Sequence, residues 1–299
     1  MQTQVIGLVG LGLVGQALGA RLRANGLRVV GHDLRPEAVE AFRAQGGESA
    51  TSLAQLGEQV DTVVLAVFDT QGVLEVVEGA DGLLTGASRI RRVVDCSTGD
   101  PAEVEALSRR LRARGIDFVE APLSGSSQQI AAGEGVALVG AEEPAWQAAR
   151  PLLSMLAAEC IHVGPPGMGA KAKLATNLVL GLNRAVLAEG MAFAESLGIA
   201  PQRFLSLVLA TPARSDAAAV KGPLMAAGDF APRSRIRQHR KDVMLMLDAA
   251  AAAGLELPFS RVHAALLSEA VEQGRGELDN AAIVLQMRGR KVGGGEGRG

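Results

Sequence analysis

The sequence predicts an α/β protein: a Rossmann-type, doubly wound, mostly parallel sheet followed by a long interdomain helix and an all-helical second domain. Three observations predict it. From about residue 4 to residue 163, short apolar runs alternate with helical segments, the pattern of strands joined by crossover helices. A glycine-rich turn marks the first strand-to-helix junction. Beyond residue 164 strand patterning stops, and a run rich in Ala, Leu and Met reads as one helix to about residue 197.

The 299 residues are near two domain-lengths and long enough to bury a core. Lys plus Arg at 30 nearly balance Asp plus Glu at 32, so no nucleic-acid partner is expected. Cys96 and Cys160 form neither a disulfide framework nor a metal spacing. With no charged n-region or cleavage site before the first apolar run, this fits a cytoplasmic protein.

Residues 4 to 9 read as a buried strand, followed at once by Gly10, Gly12 and Gly15 in G-x-G-x-x-G spacing. A helix follows from about residue 13 to Asn25, then a strand from about Leu27 to His32 that ends at Asp33. Strand, glycine turn, helix and a later acidic residue make up the dinucleotide-binding context. Gly10 makes the tight turn, Gly12 admits a pyrophosphate to the backbone, and Gly15 lets helix and strand pack closely. The N–H groups at the helix start face the phosphate oxygens. Leu13 and Val14 inside the turn, and Leu34 beside Asp33, belong to the same candidate cofactor site. A carboxylate at Asp33 favours the ribose hydroxyls of NAD and repels a 2′-phosphate. Arg35 leaves NADP open, because an arginine there is able to pair with that phosphate.

The alternation continues with a helix at 36–45, a strand at 61–67, a helix after Asp69, a strand at 91–96 and a helix at 101–114. Then come strands at 116–121 and 135–140, a helix at 144–157 and a last strand at 160–163. Ligands of such sheets bind beyond the carboxyl ends of the strands. Two loops there carry chemistry: Asp95-Cys96-Ser97-Thr98, and Pro122-Leu123-Ser124-Gly125-Ser126-Ser127. The second offers hydroxyls and a bendable backbone, either a carboxylate cradle or an ordinary polar turn.

The long helix is too polar to cross a membrane, being interrupted by Lys171, Lys173, Asn177, Asn183, Arg184 and Glu189. It is expected to be nearly buried under protein. Lys173 and Asn177, four apart, share one face; Lys173 is either a catalytic amine or a snorkelling one. Helices follow at about 201–209, 214–226, 236–253, 258–273 and 279–288. The expected domains are 1–163 for cofactor and 164–288 for the helical part, including the linking helix at about 167–197. Residues 289–299 form a low-complexity tail expected to be disordered.

With GLVGLGLVG, DCST, APLSGSS, GMGAKAKLATN and KD at Lys241 and Asp242, the chain resembles the β-hydroxyacid dehydrogenase family, the group of 3-hydroxyisobutyrate dehydrogenase and tartronate semialdehyde reductase. The resemblance runs from about Val5 to Met287. It implies Lys173 as catalytic acid/base with Asn177 as its partner at the substrate hydroxyl, Lys171 lying off that face. It implies Ser124, Gly125 and Ser126 as the loop for the substrate carboxylate, Lys241 beside both nicotinamide and substrate, and Val67, Phe68 and Thr98 on the cofactor. Ser126 and Phe68 depart from the family's S-G-G loop and its usual proline.

The implied reaction is hydride transfer between a small 3-hydroxyacid and NAD, or NADP. A free lysine near pKa 10.4 is a poor base, so burial and nearby positive charge, from Lys241 or the oxidised nicotinamide, have to lower it. One alternative is a non-catalytic dinucleotide-binding or interaction protein, against which Lys173 and Asn177 stand. Another is an imine reductase of the same fold, a group that generally carries a different residue at the lysine position. A homodimer or homotetramer is expected, both from the family and from Ala-rich helical faces at 248–253 and 263–270.

Overall fold

The computed structural model describes residues 4–290. It divides into two compact units between Ala175 and Thr176. The first holds β1 (Val5–Val9), α1 (Leu13–Ala24), β2 (Arg28–His32), α2 (Pro36–Ala44), β3 (Glu48–Ser49), α3 (Leu53–Gln59), β4 (Thr62–Leu65) and α4 (Thr70–Glu78). It continues with β5 (Arg92–Asp95), α5 (Pro101–Ala113), β6 (Asp117–Glu120), β7 (Leu123–Ser124), α6 (Ser127–Ala132), β8 (Val136–Ala141), α7 (Glu143–Leu156) and β9 (Glu159–Gly164).

The sheet runs β3-β2-β1-β4-β5-β6-β8-β7, with β9 paired to β8. Pairing is parallel except where β8 meets β6 and β7. Side chains alternate between its faces, as a pleat of period two requires. Ile6, Leu8, Val64, Val94 and Val119 join one core cluster, while Val9, Val63, Leu65, Val93 and Phe118 join the other. Each face therefore needs its own helical cover, and the strands read as near-continuous apolar runs.

Four elements escape the sequence reading: β3, α3, β7 and α6. The two strands have two residues each, too few to show a period. The two helices are held by serine caps, Ser52 on Gln55 N–H and Ser126 on Gln129 N–H, more than by an apolar stripe.

α8 (Met168–Ser196) is a single helix through which the division passes. It is not the nearly buried helix its composition suggested: Val179, Val186 and Phe193, and Leu197 just past its end, are each more than half exposed. Their spacing puts them on one stripe.

The second unit adds α9 (Pro201–Ala210), α10 (Asp216–Ala227), α11 (Ile236–Ala252), α12 (Pro258–Glu272), a 3₁₀ turn (Asn280–Ile283) and α13 (Val284–Arg288). The helix expected over 279–288 is thus two pieces. Asp279 caps the first piece, accepting Lys221 Nζ at 2.8 and 2.9 Å and the N–H groups of Arg233, Ser234 and Ala281. Burial works against this ion, but Lys221 and the N–H donors outweigh it and hold Asp279 below the usual carboxylate range. The 263–270 face is no surface patch, because Ala264, Leu266, Leu267 and Ala270 are buried; residues 251–253 are exposed. Of the expected tail, Gly289 and Arg290 are described, with Arg290 paired to Glu269 at 2.6 Å. The rest of that tail lies outside the described residues.

Candidate active site

The strands end at one level. Val9 is in register with His32 and Leu65, Leu65 with Asp95, and Asp95 with Glu120. The segments beginning at Gly10, Asp33, Ala66, Cys96 and Ala121 therefore leave the sheet along a single edge. A cavity of about 210 Å³ lined by Gln4, Thr62 and Arg92 lies at the opposite ends of these strands, away from the candidate residues.

The glycine turn has the shape a pyrophosphate needs. Gly10 has φ +88°, and a Cβ there would meet Ala66 O at 2.4 Å. A Cβ on Gly15 would meet Gly10 O at 1.8 Å. Around Gly12, by contrast, the nearest group is Arg35 Nη2 at 3.7 Å. α1 opens there without a side-chain cap or an acidic residue in its first turn, which suits an anion. The residues present therefore fit a dinucleotide.

Asp33 is tied to that turn, accepting Leu11 N–H at 2.7 Å. It also accepts Arg35 N–H at 2.9 Å and both Nε and Nη2 of Arg35 at 3.0 and 3.1 Å. Burial pushes its carboxyl up, yet Arg35 and the two N–H donors hold it below the usual range. Sequence spacing set Asp33 and Arg35 against each other as rival cofactor selectors; the fold makes them one ion pair. Leu34 beside them is almost fully exposed. At the next strand end, Val67 N–H donates to Ser97 Oγ at 3.1 Å, and Ser97 N–H donates to Asp95 Oδ1 at 2.9 Å. Phe68 is exposed and Thr98 partly buried. Ser97, a residue the sequence showed only as part of DCST, is thus the brace between the Val67 and Thr98 loops.

Gly125 has φ +142° and is exposed, with Ser124 partly so. Ser126 is occupied otherwise: its hydroxyl donates to Gln129 Oε1 at 3.0 Å and accepts Gln129 N–H at 3.3 Å, and its own N–H donates to Gln129 Oε1 at 2.9 Å. This capping box gives the departure from S-G-G a structural use.

On α8, Lys173 and Asn177 are buried, whereas Lys171 is exposed. Within the second unit Asn177 Nδ2 donates to Asp242 Oδ2 at 3.3 Å, and Lys241 Nζ lies 3.0 Å from Asp242 Oδ1. Asp242 thus joins two predicted site residues, and the KD dipeptide was the only signal of it. The pairing also offsets the charge of Lys241. Gly181, one turn further along α8, makes room for imidazoles: a Cβ there would meet His239 Nε2 at 2.7 Å and His263 Cε1 at 3.2 Å.

Residues 5–164 match the NAD-binding domain of 6-phosphogluconate dehydrogenase, and residues 167–287 match the NAD-binding domain of NADP-dependent 3-hydroxyisobutyrate dehydrogenase. The L-threonate dehydrogenase of Cupriavidus necator is 30% identical, covering 93% of this chain and 94% of that one. The chain belongs to the β-hydroxyacid dehydrogenase family. Solved structures superpose closely on it. The 3-hydroxyisobutyrate dehydrogenase of Salmonella typhimurium does so with a TM-score of 0.84 at 28% identity, over 94% of this chain and 99% of that one. A complex of Psf3 with NADP+ and 2-OPP does so with a TM-score of 0.85 at 25% identity, over 94% and 99%. This family member is an NAD(P)-dependent oxidoreductase of the hydroxyacid CH–OH group. No helix among its described residues is long and apolar enough to cross a membrane.

Proposed function

We propose that this enzyme interconverts a small 3-hydroxyacid and its carbonyl form, with Lys173 as acid/base. The observation that carries the reading is the contrast between two lysines a half-turn apart: Lys173 buried with Asn177, Lys171 in water. When bound, the nicotinamide accepts or returns the hydride. Lys173, as neutral amine, takes the hydroxyl proton during oxidation and, as ammonium, gives it back during reduction. Asn177, oriented by Asp242, steadies the substrate oxygen. Ser124 and Gly125 receive the carboxylate, and Lys241 keeps the role at nicotinamide and substrate that the family resemblance implies. The first unit's glycine turn, Asp33, Leu34, Val67, Phe68 and Thr98 hold the cofactor, and the ribose side favours NAD. The cofactor domain is taken to end near residue 163, at the end of β9 and shortly before α8 begins. Cys96 and Cys160 are free thiols, which supports residence in the cytoplasm. A two-fold dimer or tetramer built on the exposed α8 stripe is the expected assembly.

The test is an absorbance assay at about 340 nm with NAD and NADP against L-threonate, 3-hydroxyisobutyrate, glycerate, serine and 3-hydroxypropionate. Lys173→Ala lowers turnover of the best substrate by at least about 10² and leaves NAD affinity near wild type, because the amine acts on the proton and not on the pyrophosphate. Lys171→Ala is mild. Equal losses in the two variants overturn the assignment.

A further inference from the structure

Glu120, at the end of β6, is buried, and no part of the cofactor or substrate chemistry above uses it. Its carboxylate accepts the N–H groups of Gly167 at 2.6 Å, Gly169 at 2.8 Å and Ala170 at 3.0 Å. Gly167 stands just before α8 and the other two N–H groups belong to its first turn, where an acidic group also meets the favourable end of the helix dipole. The surrounding backbone is cut to admit it. A Cβ on Gly140, its partner across the β6–β8 pairing, would meet Glu120 Oε1 at 1.9 Å, and one on Gly169 would meet Glu120 Cδ at 3.0 Å. Gly167 takes φ +95°, so the chain turns into the helix directly over the carboxylate. The glycines at 167 and 169, met in the sequence only as motif letters, are the space in which this anchor sits.

Two site elements leave from this one residue. Four positions after Glu120 comes Ser124, in the loop assigned to the substrate carboxylate. Three positions after Ala170 comes Lys173. We propose that Glu120 is a positioning residue: by fixing the first turn of α8 to the end of β6, it sets the place of the Lys173 amine relative to the Ser124–Gly125 loop. This rests on the assignment of Lys173 above. A displacement of about 1 Å in such an arrangement is enough to cost around 10² in rate. The carboxylate is the group suited to the task, because both of its oxygens accept. In Glu120→Gln one oxygen remains, and the new NH₂ faces an N–H that it cannot accept.

The experiment is a double-mutant cycle with NAD and the hydroxyacid turned over fastest in the panel above, at a temperature where circular dichroism shows each variant folded. Glu120→Gln is expected to lower kcat by about 10- to 100-fold with substrate KM held within about threefold, since the loop that takes the carboxylate stays on its own strand. Adding Lys173→Ala to Glu120→Gln is expected to leave kcat no lower than in Lys173→Ala alone, because a positioning effect has nothing left to act on. A merely structural role would lower the melting temperature without this split and without this loss of additivity. The proposal is overturned by a wild-type kcat in Glu120→Gln, by a loss confined to KM, or by fully additive losses. Wild-type turnover in Lys173→Ala alone would instead remove the lysine assignment beneath it. Should Glu120→Gln fail to fold, Gly169→Ala takes its place in the cycle with the same outcomes: its Cβ would meet Leu138 O at 2.6 Å and Gly140 N at 2.9 Å, moving the same turn while the carboxylate stays.

Discussion

Asp33 shows how one side chain ties together two parts of the proposed cofactor site. Its Oδ2 accepts the N–H of Leu11 inside the glycine turn, so the residue proposed to meet the ribose also steadies the turn proposed to meet the phosphates. The Arg35 guanidinium meanwhile spans the same carboxylate, and its charge is spoken for while Asp33 is present. Replacing the acid therefore does two things together: it removes the repulsion of a 2′-phosphate and releases an arginine able to bind one. Wild-type enzyme is expected to favour NAD over NADP in kcat/KM, with Asp33→Ser narrowing or reversing the preference. The reduced cofactors' fluorescence gives the same comparison as Kd. A wild-type preference for NADP would mean that Arg35 already governs the choice.

At the scale of elements, α8 is shaped by what it leaves out. Gly181 admits His239 from α11 and His263 from α12, whose rings stand 5.0 Å apart, and Arg184 is buried one turn below. Burial, and after it the Arg184 charge, push the His263 imidazole down to about 4 from its ordinary 6.5. A depressed folded-state pKa means that the native protein resists taking a proton the unfolded chain accepts. Stability is thus full above about pH 6.5 and is lost as pH falls toward 4. His239 and Arg184 lie beside this ring, and neither carries a negative charge. The stability advantage of wild type over His263→Gln, measured by urea unfolding, is expected to shrink by about 2 kcal/mol between pH 7.5 and pH 5. A gap that stays constant over that range would show that His263 titrates normally.

At the scale of the whole molecule, the exposed apolar surface calls for a partner. Val179, Val186 and Phe193 on α8, Leu197 just past its end, and Phe259 and Val262 on α12 are all exposed, more large apolar side chains than a monomer usually leaves in water on two helices. A second copy of the chain is the natural cover, and two-fold closure makes an even number of subunits the expectation. Light scattering after size exclusion should give twice or four times 30.8 kDa, and Phe193→Glu with Val186→Glu should shift the protein toward the monomer. An active wild-type sample of monomer mass at micromolar concentration would rule the assembly out.

The sequence by itself determined the parts governed by local rules. Gly10 and Gly15 announce their turn because a Cβ on either would meet backbone, and Gly12 between them keeps the approach to that backbone open. Strand and helix periods place most elements within a few residues, and the distance from Lys173 to Asn177 puts both on one helical face. What lay beyond it were facts created by meetings of distant residues. Nothing near Glu120 in the chain marks it as the anchor of a helix that starts almost fifty residues later. Asp242 becomes informative only when folding brings it to Asn177, and Asp33 and Arg35 become a pair only through side-chain geometry. The stripe on α8 escaped for the same reason: composition shows that a helix is apolar, but exposure depends on which neighbours arrive to cover it. Local propensity and spacing are written along the chain, whereas partnership, burial and charge compensation are properties of the closed tertiary structure alone.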